Sequence, residues 1–185
     1  MNISFGKKST EIEVSQIVLA ILLIAVIVIS RLLPHAYNLV PVGAIIMLAS
    51  IYQGRKFAWI VGLSGMLIGD LWLGFYQAGI MLAVYGSLLL ITFANNYLRN
   101  NRSVLNIVSL ALMSGLAFFL ITNFAVWLFT DMYSKDLSGL SLAYYYALPF
   151  FRNTLIGNVG YSLVGYLALE YSLPTIKDLI PARQG

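Results

Sequence analysis

Long apolar runs separated by short polar breaks set the character of this chain. A helix that crosses about 30 Å of hydrocarbon needs about 20 mostly apolar residues, and the charges recur at close to that interval. The first run predicts a span over Val14–Leu33 and the second, shorter one a span over Val40–Gln53, which ends before Arg55 and Lys56. Phe57 to Leu98 carries a single charge, Asp70, and has room for two spans joined by a tight turn near Tyr76–Gly79. Arg99 and Arg102 mark the next break, and Val104–Phe129, with no charge, is the fifth span. A polar loop over Asp131–Gly139 leads to a sixth span, Phe150–Glu170, with Tyr144, Tyr145 and Tyr146 placed along the interface before it. Aromatic residues gather at that level of a bilayer. The pattern therefore predicts an all-α membrane protein, a six-transmembrane-helix bundle over 14–170, with a cytoplasmic segment at 1–13 and a cytoplasmic tail at 171–185.

Composition supports lipid as the solvent. The 185 residues are 60% hydrophobic and 10% charged, whereas soluble domains carry about 25% charged residues. Lys7 and Lys8 precede the first run, as in a secretory signal, but Val14–Ser30 exceeds the usual apolar core of about 7–15 residues and no small-residue cleavage site follows. It reads as the first span. With six spans, Lys7, Lys8, Arg55, Lys56, Arg99, Arg102, Lys177 and Arg183 fall on the N-terminal side. Arg31, Lys135 and Arg152 fall opposite. Basic loops stay in the cytoplasm, so both termini are expected there. The stretch at Val40–Gln53 is short for a crossing and reads as broken, tilted or re-entrant.

Several chemistries are excluded. There is no cysteine and one histidine, His35, so thiolate and multi-histidine metal sites and HExxH proteases are out. No metal site or cofactor is expected. The scattered Lys and Arg form no stripe for nucleic acid, and no GxxxxGK[ST] loop is present for a nucleotide. An aspartyl hydrolase needs two carboxylates sharing a proton, and Asp70 stands alone at membrane depth. No enzyme is expected.

Charges at bilayer depth are costly and usually face a cavity or a partner. Arg31 either snorkels from the end of the first span or turns inward. Asp70, Arg152, Asn123 and Asn153 all fall toward the outer side, with His35 and Asn38 in the outer connection of spans one and two. Asp70 and Arg152 either lock two helices as an ion pair or line an outward pocket. Phe119, Asn123 and Trp127, spaced four apart, share one helical face, suited to a flat organic ligand or to ordinary packing. Gly62, Gly65, Gly69, Gly157 and Gly160 are expected to let helices approach closely.

Four segments carry a family resemblance. These are Asn38-Leu39-Val40-Pro41-Val42-Gly43-Ala44, Gly69-Asp70-Leu71 with Gly74-Phe75-Tyr76, Thr122-Asn123-Phe124-Ala125-Val126-Trp127, and Leu148-Pro149-Phe150-Phe151-Arg152-Asn153-Thr154-Leu155. Over residues 14–170 the chain resembles the substrate-binding S-components of energy-coupling-factor transporters, nearest to the solitary cobalamin-uptake branch and its bacterial relatives. The resemblance implies capture of a vitamin or cofactor precursor from outside, alone or with a separate coupling membrane subunit and ATPases. Cobalamin is a candidate. This chain lacks the cysteine which that branch offers to cobalt, although His35 is a possible substitute, and Asn158 stands where the family has an acid. The other functional reading is a membrane scaffold or assembly protein with no small ligand.

Overall fold

The computed structural model describes residues 4–94 and 101–171, with side chains from Val14 onward. The described residues are all-helical, with six α-helices: α1 Ser4–Leu32, α2 Val42–Gln53, α3 Arg55–Leu73, α4 Ala78–Leu90, α5 Val104–Phe129 and α6 Leu137–Tyr171. A 3-10 turn, Ile91–Ala94, prolongs α4. Arg99, Lys177 and Arg183, and the tail from 172, lie outside the described residues, as do the side chains of Lys7 and Lys8. The segment expected to precede the first span is already helical from Ser4.

Three helices are long and apolar enough to cross a membrane: Val14–Leu32 of α1, Arg55–Leu73 and Val104–Phe129. Their outer faces are apolar and open, as at Ile21 (60% exposed) and Leu105 (73%). Contiguous apolar surface on this scale does not face water. The molecule is a membrane protein.

The short second run forms the centre of the bundle. Ten of the twelve residues of α2 are buried, Val42 through Gln53 except Ile45 and Tyr52, as expected for a helix that is apolar all round. At about 1.5 Å per residue it is roughly 18 Å long, too short to fill the depth of the bundle. The space beyond its N-terminus is where the cavity lies. A single residue, Gly54 at φ 95, joins α2 to α3, in the left-handed region that suits glycine.

The small residues of α3 set its neighbours. A Cβ on Gly62 would strike Ile46 of α2, one on Gly65 would stand 2.7 Å from Ile27 of α1, and one on Gly69 would meet Arg31. Gly157 approaches Leu39 of the α1–α2 connection. Gly160, expected on a packing face, instead looks into open space, because its side of α6 turns outward.

The last helix departs most from expectation. It is continuous from Leu137 through Pro149 to Tyr171, so the tyrosine run lies within it and the last three residues of the expected polar loop form its first turn. Pro149 cannot donate to the Tyr145 carbonyl, yet packing on α5 carries the helix across this gap. Tyr144 donates to the Leu120 carbonyl of α5 at 2.9 Å, while Tyr145 and Tyr146 are exposed. Asp136 caps the start, accepting from the Gly139 amide at 2.7 Å and the Ser134 hydroxyl at 2.9 Å. These bonds, the Gly139 amide foremost, hold its carboxyl below the usual range. The capping contribution is therefore full above the unfolded value of about 4 and fades as pH falls through the depressed folded value. Hydrogen exchange of the Gly139 amide should quicken relative to mid-α6 amides, after correction for intrinsic rates, as pH drops below about 4. In an Asp136→Asn variant that step should vanish.

At the opposite end, the Tyr52 hydroxyl donates to Glu170 Oε1 at 2.6 Å, and Arg102 lies 3.7 Å from the same oxygen. This ties the end of α2 to the end of α6.

Candidate functional site

A cavity of about 320 Å³ opens at the end where α1–α2 and α3–α4 connect. Its floor is Val42 and Gly43, the first residues of α2, whose first-turn amides lack intrahelical acceptors. Arg31, Met66 and Leu73 form one wall, Val84, Leu88 and Ile91 the next, and Phe118, Thr154 and Asn158 the far side. His35, Tyr37 and Asn38 form the rim. Asn38 holds φ 61, a backbone state asparagine tolerates better than most residues, and it bends the connection back over the floor. A second cavity of about 270 Å³ adjoins the first, sharing Tyr37, Asn38, Phe118 and Thr154. Its other sides are mainly aromatic, with Phe119, Phe150 and Phe151 beside Thr122 and Asn123. Phe119 stacks on Phe151 at 4.4 Å and Tyr37 meets Phe150 edge-on at 5.6 Å. Such arrays bind flat apolar rings well.

Behind Arg31 is a closed polar group. Arg31 pairs with Asp70 and donates to the Met66 carbonyl at 2.7 Å. The other Asp70 oxygen accepts from the Tyr85 hydroxyl at 2.7 Å. Asp70 is 1% exposed and does not line the cavity. Burial, and then the Asp70 carboxylate, push the Tyr76 hydroxyl in the α3–α4 connection up to about 12. It therefore stays protonated, a donor at the cavity edge.

The expected pairing of Asp70 with Arg152 is not made. Arg152 is exposed on α6 and lines neither cavity. It shares a depth with Asp70 but not a direction, whereas Arg31 lies on the helix that packs directly on α3. Asn153 donates to the Tyr37 carbonyl at 3.0 Å, holding the rim on α6. The α5 stripe divides. Phe119 and Asn123 line the second cavity, and the Asn123 amide donates back to the Phe119 carbonyl at 2.8 Å. Trp127 lines neither cavity, because its indole donates to the Ser134 carbonyl at 2.9 Å in the α5–α6 connection.

Sequence reasoning missed Tyr85, Tyr76, Tyr37, Phe118 and Thr154 as site residues. Tyr85 was the available signal, the one aromatic residue in α4, whose other polar side chain is Ser87. Asn158, which stands where the resembled family has an acid, is buried at the edge of the cavity. Its amide lies 3.4 Å from the Ser114 hydroxyl of α5, and a Cβ on Gly43 would stand 2.8 Å from its Oδ1. It thus fills the space the glycine leaves between α2, α5 and α6. The described residues contain no cluster of three or more His, Cys, Asp or Glu able to hold a metal.

A family model described as a family of unknown function (DUF6580) matches residues 11–177. The chain belongs to DUF6580. No curated protein and no solved structure matches it. The matched region of this DUF6580 chain takes in all the residues of both cavities.

Proposed function

We propose that this chain is a six-span protein of a bacterial inner membrane, with both ends in the cytoplasm, that captures a small organic nutrient from outside for uptake. The observation that supports this reading is the cavity at the α1–α2 and α3–α4 connections, with the first-turn amides of α2 at its floor and aromatic side chains beside it. Pockets of about 300–1,000 Å³ lined by apolar walls with a few placed polar groups are typical small-molecule sites. The basic residues at the other end, Arg55, Lys56 and Arg102, favour that end as cytoplasmic. The resemblance to S-components adds the class of cargo, a vitamin or cofactor precursor, and a separate coupling subunit with ATPases as the energy source. The cavity favours cargo much smaller than a corrinoid. The glycine face of α3, which would suit a scaffold role, is filled by Ile46, Ile27 and Arg31 of the same chain, which weighs for a ligand.

Native mass spectrometry of the purified protein and a binding panel of vitamins test this. Gly43→Ala should push the Asn158 amide into the cavity and weaken the ligand by about tenfold, ~1.4 kcal/mol, with little loss of thermal stability. An empty protein, no binding across the panel and unchanged vitamin uptake in a deletion strain would together end the proposal.

A further inference from the structure

We propose that Asp70 sets the charge selectivity of this cavity, cancelling Arg31 so that the site accepts an uncharged planar ligand and rejects its carboxylated analogue. The inference rests on the uptake reading of the same cavity and names the class of cargo. Arg31 and the rim residue His35 are the basic side chains that line the cavity, and no carboxylate lines it. On those residues alone, the site would suit an anion. The guanidinium, however, is already paired with a carboxylate that is 1% exposed and faces away from the ligand space.

The pair is not free to open. The Met66 carbonyl holds one side of the guanidinium at 2.7 Å, Tyr85 holds the far oxygen of Asp70 at 2.7 Å, and the missing Cβ of Gly69 leaves the room the guanidinium occupies. A ligand that drew Arg31 away would strand a buried carboxylate, which is strongly unfavourable. A ligand carboxylate in this cavity therefore meets a neutral pair and loses its water without a compensating charge. His35 sits at the exposed rim, where water screens it. The α2 N-terminus adds about half a positive charge and free amides that draw a carbonyl oxygen and a carboxylate alike, so the choice between the two is left to the Arg31–Asp70 pair. Planarity follows from Phe118, which faces both cavities, and from the rings of the second.

The experiment measures binding of two matched pairs, nicotinamide with nicotinate and pyridoxine with 4-pyridoxate, by calorimetry on the detergent-purified full chain at neutral pH. The wild type should bind the uncharged member of a pair at least ~10-fold more tightly. Asp70→Asn keeps a hydrogen-bonding partner for Arg31 and Tyr85 and frees the positive charge, so the preference should reverse. The double variant Arg31→Gln/Asp70→Asn removes both charges, avoids a stranded one, and should restore the preference for the uncharged member. A purely structural role for Asp70 would change stability and leave the ratio unmoved. Tighter binding of the acids by the wild type, an unchanged ratio in Asp70→Asn, or an anion as the co-purified ligand overturns the charge assignment and leaves the uptake reading standing. Failure of all four compounds to bind the wild type overturns the assignment for this ligand class. The uptake reading falls separately, only when no co-purified ligand and no uptake phenotype are found.

Discussion

Replacing Asp70 with alanine is expected to be among the most damaging single substitutions in the chain. Arg31 would keep its Met66 contact and lose its counter-charge, in a position where its side chain is 13% exposed. Breaking a buried pair from one side costs about 3–5 kcal/mol, because the remaining charge is left in a poor solvent. Tyr85 would lose its acceptor as well. Thermal unfolding in detergent, followed by tryptophan fluorescence, should show a large fall in the midpoint and a lower yield. A paired variant, Arg31→Met/Asp70→Ala, should recover much of the loss, since apolar replacements of buried pairs are often neutral or better. Equal damage in the single and double variants would show that the carboxylate matters for something other than balancing Arg31.

Gly65→Val is the second large effect. Even the first added carbon would lie 2.7 Å from Ile27 Cγ2 and 2.9 Å from its Cβ, and Ile27 is fully buried. The branched carbon of Ile27 is tied to the backbone of α1, so relief requires the helices to part. Overpacking of this kind costs about 1–3 kcal/mol and occasionally more. Parting α1 from α3 would also draw Arg31 from Asp70 one helical turn further on. The variant should therefore melt earlier and bind ligand more weakly, whereas Gly160→Val, which has open space around it, should do neither. Similar melting of the two variants would rule out the close approach of α1 and α3.

The difference between depth and direction explains what could be read in advance. Spacing from the ends of an apolar run gives the height of a residue, so Arg31, Asp70, Arg152 and Asn123 all read as lying near one end. The limits of α5 follow equally well from sequence, because Ser103 accepts from the Asn106 amide as an N-cap and the polar Thr130 closes the run. Which residue faces which depends on helix neighbours, and here the clue was a matched register. Ile27 and Arg31 are four apart on α1, as are Gly65 and Gly69 on α3, so two large side chains fit two vacant positions along the same contact. Only once α1 is laid on α3 does that match single out Arg31 rather than Arg152. The start of α6 was hidden for another reason. Pro149 and three tyrosines look like a break locally, and only the contacts of Tyr144, Phe150 and Phe151 with their neighbours keep the helix intact through it.

The 39 positions separating Arg31 from Asp70 also carry a cost in time. At translation speeds of about 5–20 residues per second, Asp70 is made roughly 2–8 s after Arg31. No acidic residue lies between Val14 and Gly69, and Glu11 and Glu13 precede Arg31 by 18 positions or more, about 27 Å along a helix, so no carboxylate of the newly made chain lies beside the guanidinium during that interval. Until α3 arrives, the Arg31 guanidinium is best solvated by snorkelling to the membrane surface, and the cavity wall closes only when the nascent chain delivers its counter-ion.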